Sequence, residues 1–437
     1  MLTREENEFI TRTGPGTPMG EFWRRFWAPA LLPSELPEPD CPPVRLRLLG
    51  EDLVAFRDTS GKVGLLAANC PHRGASLFFG RNEEQGLRCV YHGWKYDVTG
   101  QCVDMPNEPP ESNFRHKIKH TAYPCEERAG IIWTYMGPKD LLPQLPELEW
   151  AMVPESHRYI SKIWVESNYL QALEGDIDNS HVPFAHGLLA GPLDAPFLER
   201  VRAAGAVRQQ RMGRGGLQTQ VLFAQDLTPR GVVKDTDYGI VMGWRRNADP
   251  EHYYWRINHW MLPSHVMLAS PPGNSMTCNS RIPMDDENSW HFRVTWHPER
   301  PLTQEQLDYL RSGQGYPELV PGTFRPKANK DNDYLIDREL QRTSSVTGIM
   351  ATTQQDRAVT ESMGAIYDRT KEHLGTSDMV IIAMRRRLMK LARELGEGRE
   401  PYAAHHGEVY RQRGADLLLK REAPWEEGAR ELMAVHK

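Results

Sequence analysis

Two short cysteine-histidine pairs, Cys70-Pro71-His72 and Cys89-Val90-Tyr91-His92, stand sixteen residues apart and together offer two thiolates and two imidazoles. Such a set suits a [2Fe-2S] cluster in which one iron keeps two cysteines and the other takes two histidines. That ligation raises the reduction potential above that of an all-cysteine ferredoxin. Each loop then gives one residue to each iron, so cysteine and histidine must be mixed within a loop, as they are here. A structural zinc site is the rival, but zinc modules more often group cysteine with cysteine and histidine with histidine. The chemistry implied is single-electron transfer.

A second constellation lies in Asn168-Tyr169-Leu170-Gln171-Ala172-Leu173-Glu174-Gly175-Asp176-Ile177-Asp178-Asn179-Ser180-His181-Val182-Pro183-Phe184-Ala185-His186. On a helix, Asp178 and His181 share a face, being three residues apart. His186 would point away on a straight helix. Pro183 is expected to kink or distort the helix by clashing with the carbonyl of Asn179, so that both imidazoles can converge. Two histidines and one carboxylate on a single face of iron leave positions open for oxygen and substrate, the facial triad of non-haem Fe(II) oxygenases. On spacing alone the signal is weak, since two histidines five apart are more often packing or surface residues.

The elements that must position these residues differ along the chain. Residues 44 to 66 alternate or run apolar between the turn signals Gly50-Glu51-Asp52 and Asp58-Thr59-Ser60-Gly61, which predicts short antiparallel strands. More strand-like stretches follow at Leu87 to Asp97 and Gly130 to Tyr135. A small all-β domain holding the cluster between two loops is expected over residues 20–140. The proline-rich stretch from Gly137 to Pro146 reads as a boundary. A second domain is expected over 145–437, with residues 1–19 packing against it. In it a helical segment begins near Val165, a strand-rich middle runs from about Gln218 to Trp296, and the last hundred residues are mostly helical in pattern. Asp378 to Leu395 reads as an amphipathic helix whose Arg385, Arg386 and Arg387 form a solvated basic face, ended near Gly396. The tail from Arg399 to Lys437 is polar and is assigned no function.

At 437 residues the chain is long enough for two or three domains. A formal charge of -5 and a pI near 6.4 give no basic excess to suggest nucleic acid. The first residues have no apolar signal core and no apolar run could span a bilayer, so a cytoplasmic protein without membrane segments is expected. Cys41, Cys102, Cys125 and Cys278 are scattered and read as plain thiols. No Gly-x-Gly-x-x-Gly fingerprint is present, so reducing equivalents must come from a separate protein.

Gly93-Trp94-Lys95-Tyr96-Asp97 after His92, the order of the two motifs and the total length resemble the large (α) oxygenase component of Rieske non-haem iron aromatic ring-hydroxylating oxygenases. Respiratory Rieske proteins carry an extra disulfide between the cluster loops. The matching positions here are Ala75 and Tyr91, so the resemblance is to the oxygenase and ferredoxin branch. Within the oxygenases, Met1-Leu2-Thr3-Arg4-Glu5-Glu6-Asn7, Gly14-Pro15-Gly16-Thr17-Pro18-Met19-Gly20 and Gln355-Asp356 resemble phthalate 4,5-dioxygenase-like members.

The resemblance implies an α+β architecture, a Rieske [2Fe-2S] domain followed by a helix-grip (START-like) catalytic domain with an antiparallel sheet and long helices. It implies a cluster at Cys70, His72, Cys89 and His92 and a mononuclear Fe(II) at His181, His186 and Asp356, with Glu361 and Asp368 as fallback carboxylates. Asp178 is implied to bridge His92 of one subunit to His181 of its neighbour in a homotrimer or stacked hexamer. Asn168 is read either as a residue near the iron or as a helix or turn amide. The implied reaction is hydroxylation of an aromatic carboxylate by O2, cis-dihydroxylation favoured, with electrons from an NADH-dependent flavin/iron-sulfur reductase. O-demethylation or monooxygenation of a lignin-derived methoxylated aromatic acid is the alternative within the class. A Rieske electron carrier without catalytic iron is the alternative outside it. A carboxylate substrate calls for a cation, and Arg208, Arg245 and Arg246 are the candidates.

Overall fold

Leu46 and Leu48 are buried while Arg45 and Arg47 are exposed, so the strand Val44–Leu48 shows the period of two that a half-buried strand requires. It turns through Leu49 and Gly50, both at positive φ, into the strand Glu51–Arg57. Two left-handed residues in a two-residue loop suit the right-handed twist of a hairpin. The strands Val63–Ala67 and Ala122–Tyr123 complete a four-stranded antiparallel sheet. A second four-stranded sheet is built from Arg81–Glu83, Gly86–Arg88, Lys95–Tyr96 and Cys102–Asp104. A three-stranded sheet joins Trp27–Leu31, Ile131–Tyr135 and Cys125–Arg128. Val54, Phe56, Leu66, Leu77, Leu87, Trp94 and Tyr96 pack with Cys70 and Cys89 into one apolar cluster.

The structure, a computed structural model, describes residues 1–109, 111–187, 222–223 and 225–435. Contacts divide the chain into two units, Arg12–Leu145 with Pro283–Asp285, and Met1–Thr11 with Pro146–Ile282 and Asp286–Lys437. Residues 12–19 therefore group with the smaller unit, not with the catalytic part. Among the described residues no helix is long and apolar enough to cross a membrane.

The larger unit is organised by an antiparallel sheet that runs Arg158–Val165, Ser289–Trp296, Met276–Pro283, His265–Leu268, His252–Met261, Gly239–Asn247, Arg230–Thr236. An eighth strand, Ala415–Lys420, pairs with the first part of His252–Met261. It comes from the tail read as polar and without a role. Its run of three leucines between turn residues is strand-compatible, and long-range pairing decides the matter. Trp244, Trp260 and Trp296 are fully buried on this sheet.

The helix Met379–Gly396 covers the expected span, but its basic face is not solvated. Arg385 is buried, and it donates to Glu174 at 2.7 Å and to Glu372 at 2.9 Å. Arg369 donates to the other Glu174 oxygen at 3.0 Å. Two buried carboxylates supply the counter-charge that lets an arginine leave water. Arg387 is half-buried and reaches the Thr236 carbonyl, and only Arg386 of the three is exposed.

Candidate active site

The two cysteine-histidine loops are built alike. The Cys70 amide donates to the Ala75 carbonyl and the Cys70 carbonyl accepts from Gly74, and Cys89 repeats both bonds with Trp94 and Gly93. Gly74 and Gly93 have φ of 74° and 80°, the left-handed region that favours glycine. A Cβ on Gly93 would also stand 2.5 Å from Pro106 Cγ. These turns place Cys70 beside Cys89, both buried and both free thiols. They also set the His72 and His92 rings 4.4 Å apart. His72 stacks on Trp94 at 4.3 Å, and the indole is pinned by its donation to Asn107 Oδ1 at 2.7 Å. The Nδ1 of His72 is buried and has no hydrogen-bond partner among the described residues. A metal bond would satisfy that nitrogen, so two thiols and two imidazoles in this arrangement fit a [2Fe-2S] group. Tyr96 Oη lies 3.2 Å from Cys70 Sγ inside the same core, a contact the sequence reading had not singled out.

The second site begins at the helix Tyr169–Ile177. Asn168 is its N-cap: its Oδ1 accepts from Leu170 at 3.1 Å and its Nδ2 donates to the carbonyls of Thr11 and Asp286. The side chain is fully buried in this capping role, so of its two readings the structure shows the helix amide. The helix also stops earlier than expected. Ile177 is its last residue, Asp178 has extended backbone angles, and a separate short helix runs Val182–Ala185. Pro183 is therefore no kink. It sits in the first turn of the new helix, where its missing N–H costs nothing. What joins Asp178 to His181 is an Asx turn and not a shared helix face. Asp178 Oδ1 accepts from the Ser180 amide and hydroxyl, both at 2.7 Å, and Oδ2 accepts from the His181 amide at 3.1 Å.

Three anchors hold this segment, none of them found from sequence. Gln171 donates to the carbonyls of Thr360 and Gly364, both at 3.0 Å, and so ties its helix to the end of the helix Thr352–Ser362 that carries Asp356. Asp176 accepts from Arg281 and Asn279 of the strand Met276–Pro283. Arg246 donates to both the side chain and the carbonyl of Asn179, at 2.6 and 2.7 Å.

With those anchors in place, His181, His186 and Asp356 each offer one ligand atom, and these atoms lie within 4.8 Å of one another. His181 Nδ1 is 3.1 Å from Asp178 Oδ2, and His186 Nδ1 is 2.7 Å from Gln355 Oε1. Both Nδ1 atoms being held by acceptors, both Nε2 atoms face Asp356 Oδ1, at 3.6 and 3.1 Å. Burial opposes ionisation of Asp356, but His186, His181 and then Arg281 bring its pKa down to about 2. Burial likewise disfavours the His181 cation, yet the hydrogen bond to Asp178 and the charges of Asp356 and Asp178 raise its pKa. An ionised carboxylate with two imidazole nitrogens turned inward is the donor set of a facial triad, and it fits Fe(II). The fallback carboxylates stand elsewhere. Glu361 is buried against Arg357 and Tyr334, while Asp368 lies in a turn with Thr370 and Lys371.

The expected substrate arginines separate. Arg246 is buried and engaged by Asn179 and the Asp226 carbonyl; burial, then the charge of Arg256, lowers its pKa to about 10. It supports the ligand segment and does not face an open pocket. Arg245 alternates to the opposite face of its strand, 4.1 Å above Tyr253, where Arg421 covers the same ring. Neighbours on one strand cannot grip a ligand together. Arg208 lies outside the described residues. Arg256 was not singled out; it shares the Arg246 face above Phe223, and its buried Nε has no hydrogen-bond partner among the described residues.

Comparison with known proteins bears on the same arrangement. Residues 26–123 match the Rieske [2Fe-2S] domain family, and residues 134–427 match the LigXa C-terminal domain like family. The chain is 36% identical to the 3-chlorobenzoate-3,4-dioxygenase oxygenase subunit of Comamonas testosteroni, over 98% of this chain and 97% of the relative. It is 38% identical to the phthalate 4,5-dioxygenase oxygenase subunit of Pseudomonas putida, over 88% of this chain and 85% of the relative. The solved structure of the Pseudomonas putida CBB5 NdmA QL mutant with caffeine shares the fold at a TM-score of 0.59 and 20% identity, covering 93% of this chain and 99% of that one. The chain belongs to the Rieske non-haem iron oxygenases, as a large oxygenase component. Members of this family carry a Rieske cluster and a mononuclear non-haem iron.

Proposed function

We propose that this chain is the terminal oxygenase that cis-dihydroxylates an aromatic carboxylate of the phthalate type, with electrons from an NADH-dependent flavin/iron-sulfur reductase, working as a homotrimer. The observation that carries the reading is the convergence of both Nε2 atoms on Asp356. Cys70, His72, Cys89 and His92 would hold the cluster, and His181, His186 and Asp356 the iron. When bound, these groups supply electrons one at a time and activate dioxygen. The carboxylate substrate is supported by two relatives named for dioxygenation of chlorobenzoate and phthalate. Its cation would be Arg208 or Arg256, since Arg245 and Arg246 are engaged otherwise.

The chain's own residues do the positioning. Asp178 keeps the Nδ1 proton of His181 and leaves Nε2 free for metal. Its side chain is still 15% exposed, and rotation of the Ser180 hydroxyl away from Oδ1 would open one of its four acceptor sites to His92 of the partner subunit. Val90 and Tyr91 beside His92 are exposed apolar residues, which supports a face that is covered in the assembly.

The test is product analysis under labelled dioxygen with a surrogate reductase and a panel of mono- and dicarboxylated aromatics. A cis-diol carrying both labelled atoms is expected. Formaldehyde release from a methoxylated acid, or a product with one labelled atom, would overturn dihydroxylation. Iron analysis checks the class, with about three irons per chain expected against about two for a carrier without a catalytic metal.

A further inference from the structure

We infer that Gln355 is a positioning residue for the mononuclear iron site: its side-chain amide, locked on the Ile349 carbonyl, holds His186 in the tautomer that presents Nε2 to the metal. The inference rests on the iron reading of His181, His186 and Asp356 given above.

The polarity of this amide follows from its partners. Gln355 Nε2 lies 2.7 Å from the Ile349 carbonyl, which can only accept, so the amide nitrogen must be the end that faces it. The amide oxygen therefore faces His186 Nδ1, at 2.7 Å. That oxygen can only accept, so Nδ1 must carry a proton, and in the neutral imidazole that a metal requires the lone pair is then on Nε2. Gln355 is 7% exposed, and water competes poorly for either bond. Asp356 Oδ1, from the next residue, faces the opposite ring nitrogen at 3.1 Å. One turn of one helix thus fixes the imidazole at Nδ1 and sets a second candidate ligand opposite Nε2.

The two histidines are held unequally. His181 has a carboxylate behind it, whereas His186 has a neutral amide that is anchored in turn to the segment before its helix. That segment is clasped to the same loop a second time, where the Val346 amide donates to the Gly187 carbonyl at 3.1 Å. Loss of the amide would free His186 to rotate or to protonate Nε2, and either change removes a ligand. Groups that orient a metal-bound histidine typically matter by about 10–100-fold in metal affinity.

The experiment is anaerobic titration of Fe(II) into full-length protein stripped of mononuclear iron but retaining its cluster, with a chromogenic chelator as competitor. Cobalt(II) absorption serves as a readout of ligand geometry. Gln355→Leu, of similar shape, is expected to weaken Fe(II) binding about 10–100-fold and to alter the Co(II) spectrum, while cluster absorption and melting temperature stay near wild type. Gln355→Glu keeps an oxygen opposite His186 and is expected to bind Fe(II) more tightly than Gln355→Leu. If Gln355→Leu does not fold, Gln355→Asn, one methylene short of both partners, carries the same expectation. Wild-type affinity and an unchanged Co(II) spectrum in the folded variant overturn the inference, as does iron loss only in proportion to lost thermal stability. Failure of wild-type protein to bind Fe(II), or full binding by His186→Ala, instead overturns the iron site itself.

Discussion

Asp356 Oδ1 lies 3.1 Å from His186 Nε2, although six sheet strands and several helices separate the two residues in sequence. A half-buried carboxylate held ionised beside two imidazoles has a clear use as a metal ligand and none as a packing group. Asp356→Ala should therefore lose the mononuclear iron and all product formation. The cluster absorption should remain, and total iron should fall from about three to about two per chain. Retention of the third iron would remove Asp356 from the ligand set.

Asp178→Asn tests the proposed bridge. The amide keeps one acceptor oxygen and its size, so both metal centres should load as in wild type. Reoxidation of the reduced cluster by oxygen and substrate should slow by orders of magnitude in stopped-flow absorption. Reoxidation at the wild-type rate would refute a role for Asp178 in electron transfer.

The Tyr96 hydroxyl beside Cys70 Sγ makes a redox prediction. A hydrogen bond to a cluster sulfur favours the reduced, more negative state. One such bond contributes about 1 kcal/mol, which for a one-electron couple is about 40 mV. Tyr96→Phe should lower the midpoint potential by roughly that much in a spectroelectrochemical titration. An unchanged potential would show that the contact does not reach the cluster.

His259 and His265 make stability depend on pH. Burial pushes both imidazoles down to about 4. The His259 ring bridges Tyr238 and the Arg413 carbonyl, and His265 pairs with Ser280. The unfolded rings titrate near 6.5, so between about 6.5 and 4 the unfolded chain binds more protons than the folded one. Their stabilising effect is complete above about 6.5 and is lost as pH falls towards 4, by roughly 3 kcal/mol per ring at most. Denaturant unfolding at several pH values should show this decline, and His265→Gln should flatten it. An equal slope in that variant would exclude His265 as a source.

Glu174 ties the ligand helix to Arg369 and Arg385. Burial works against its charge, but the two arginines hold its pKa below the ordinary carboxylate value. Its contribution is therefore present at neutral pH and is lost as acid protonates it. Glu174→Gln leaves two buried cations short of counter-charge and should cost about 3–5 kcal/mol in chemical denaturation at pH 7. A loss under 1 kcal/mol would mean that solvent reaches the cluster of charges.

The cluster ligands were legible in the sequence because each pair sits within one short loop, where spacing alone dictates which atoms can meet. The strands of the smaller unit were legible for a similar reason, as Val44–Leu48 and Glu51–Arg57 alternate with a local period. His181 and His186 could be picked out locally, but Asp356 followed only from resemblance. The means of bringing Asp178 to His181 was misread, because an Asx turn outcompetes the helix at an Asp-Asn-Ser run.

The sequence by itself determined the chemistry of this protein, through the types and local spacing of Cys70, His72, Cys89, His92, His181 and His186. Only the tertiary structure decided which partners orient those groups. Gln355 is 169 residues from His186, Arg281 is 105 from Asp176, and Arg246 is 67 from Asn179. It also decided that Asn168 caps a helix, that Arg385 is buried and that Arg245 and Arg246 face opposite ways. Hydrogen bonds and burial between distant segments depend on the packing of sheet against helix, and no local pattern encodes that packing.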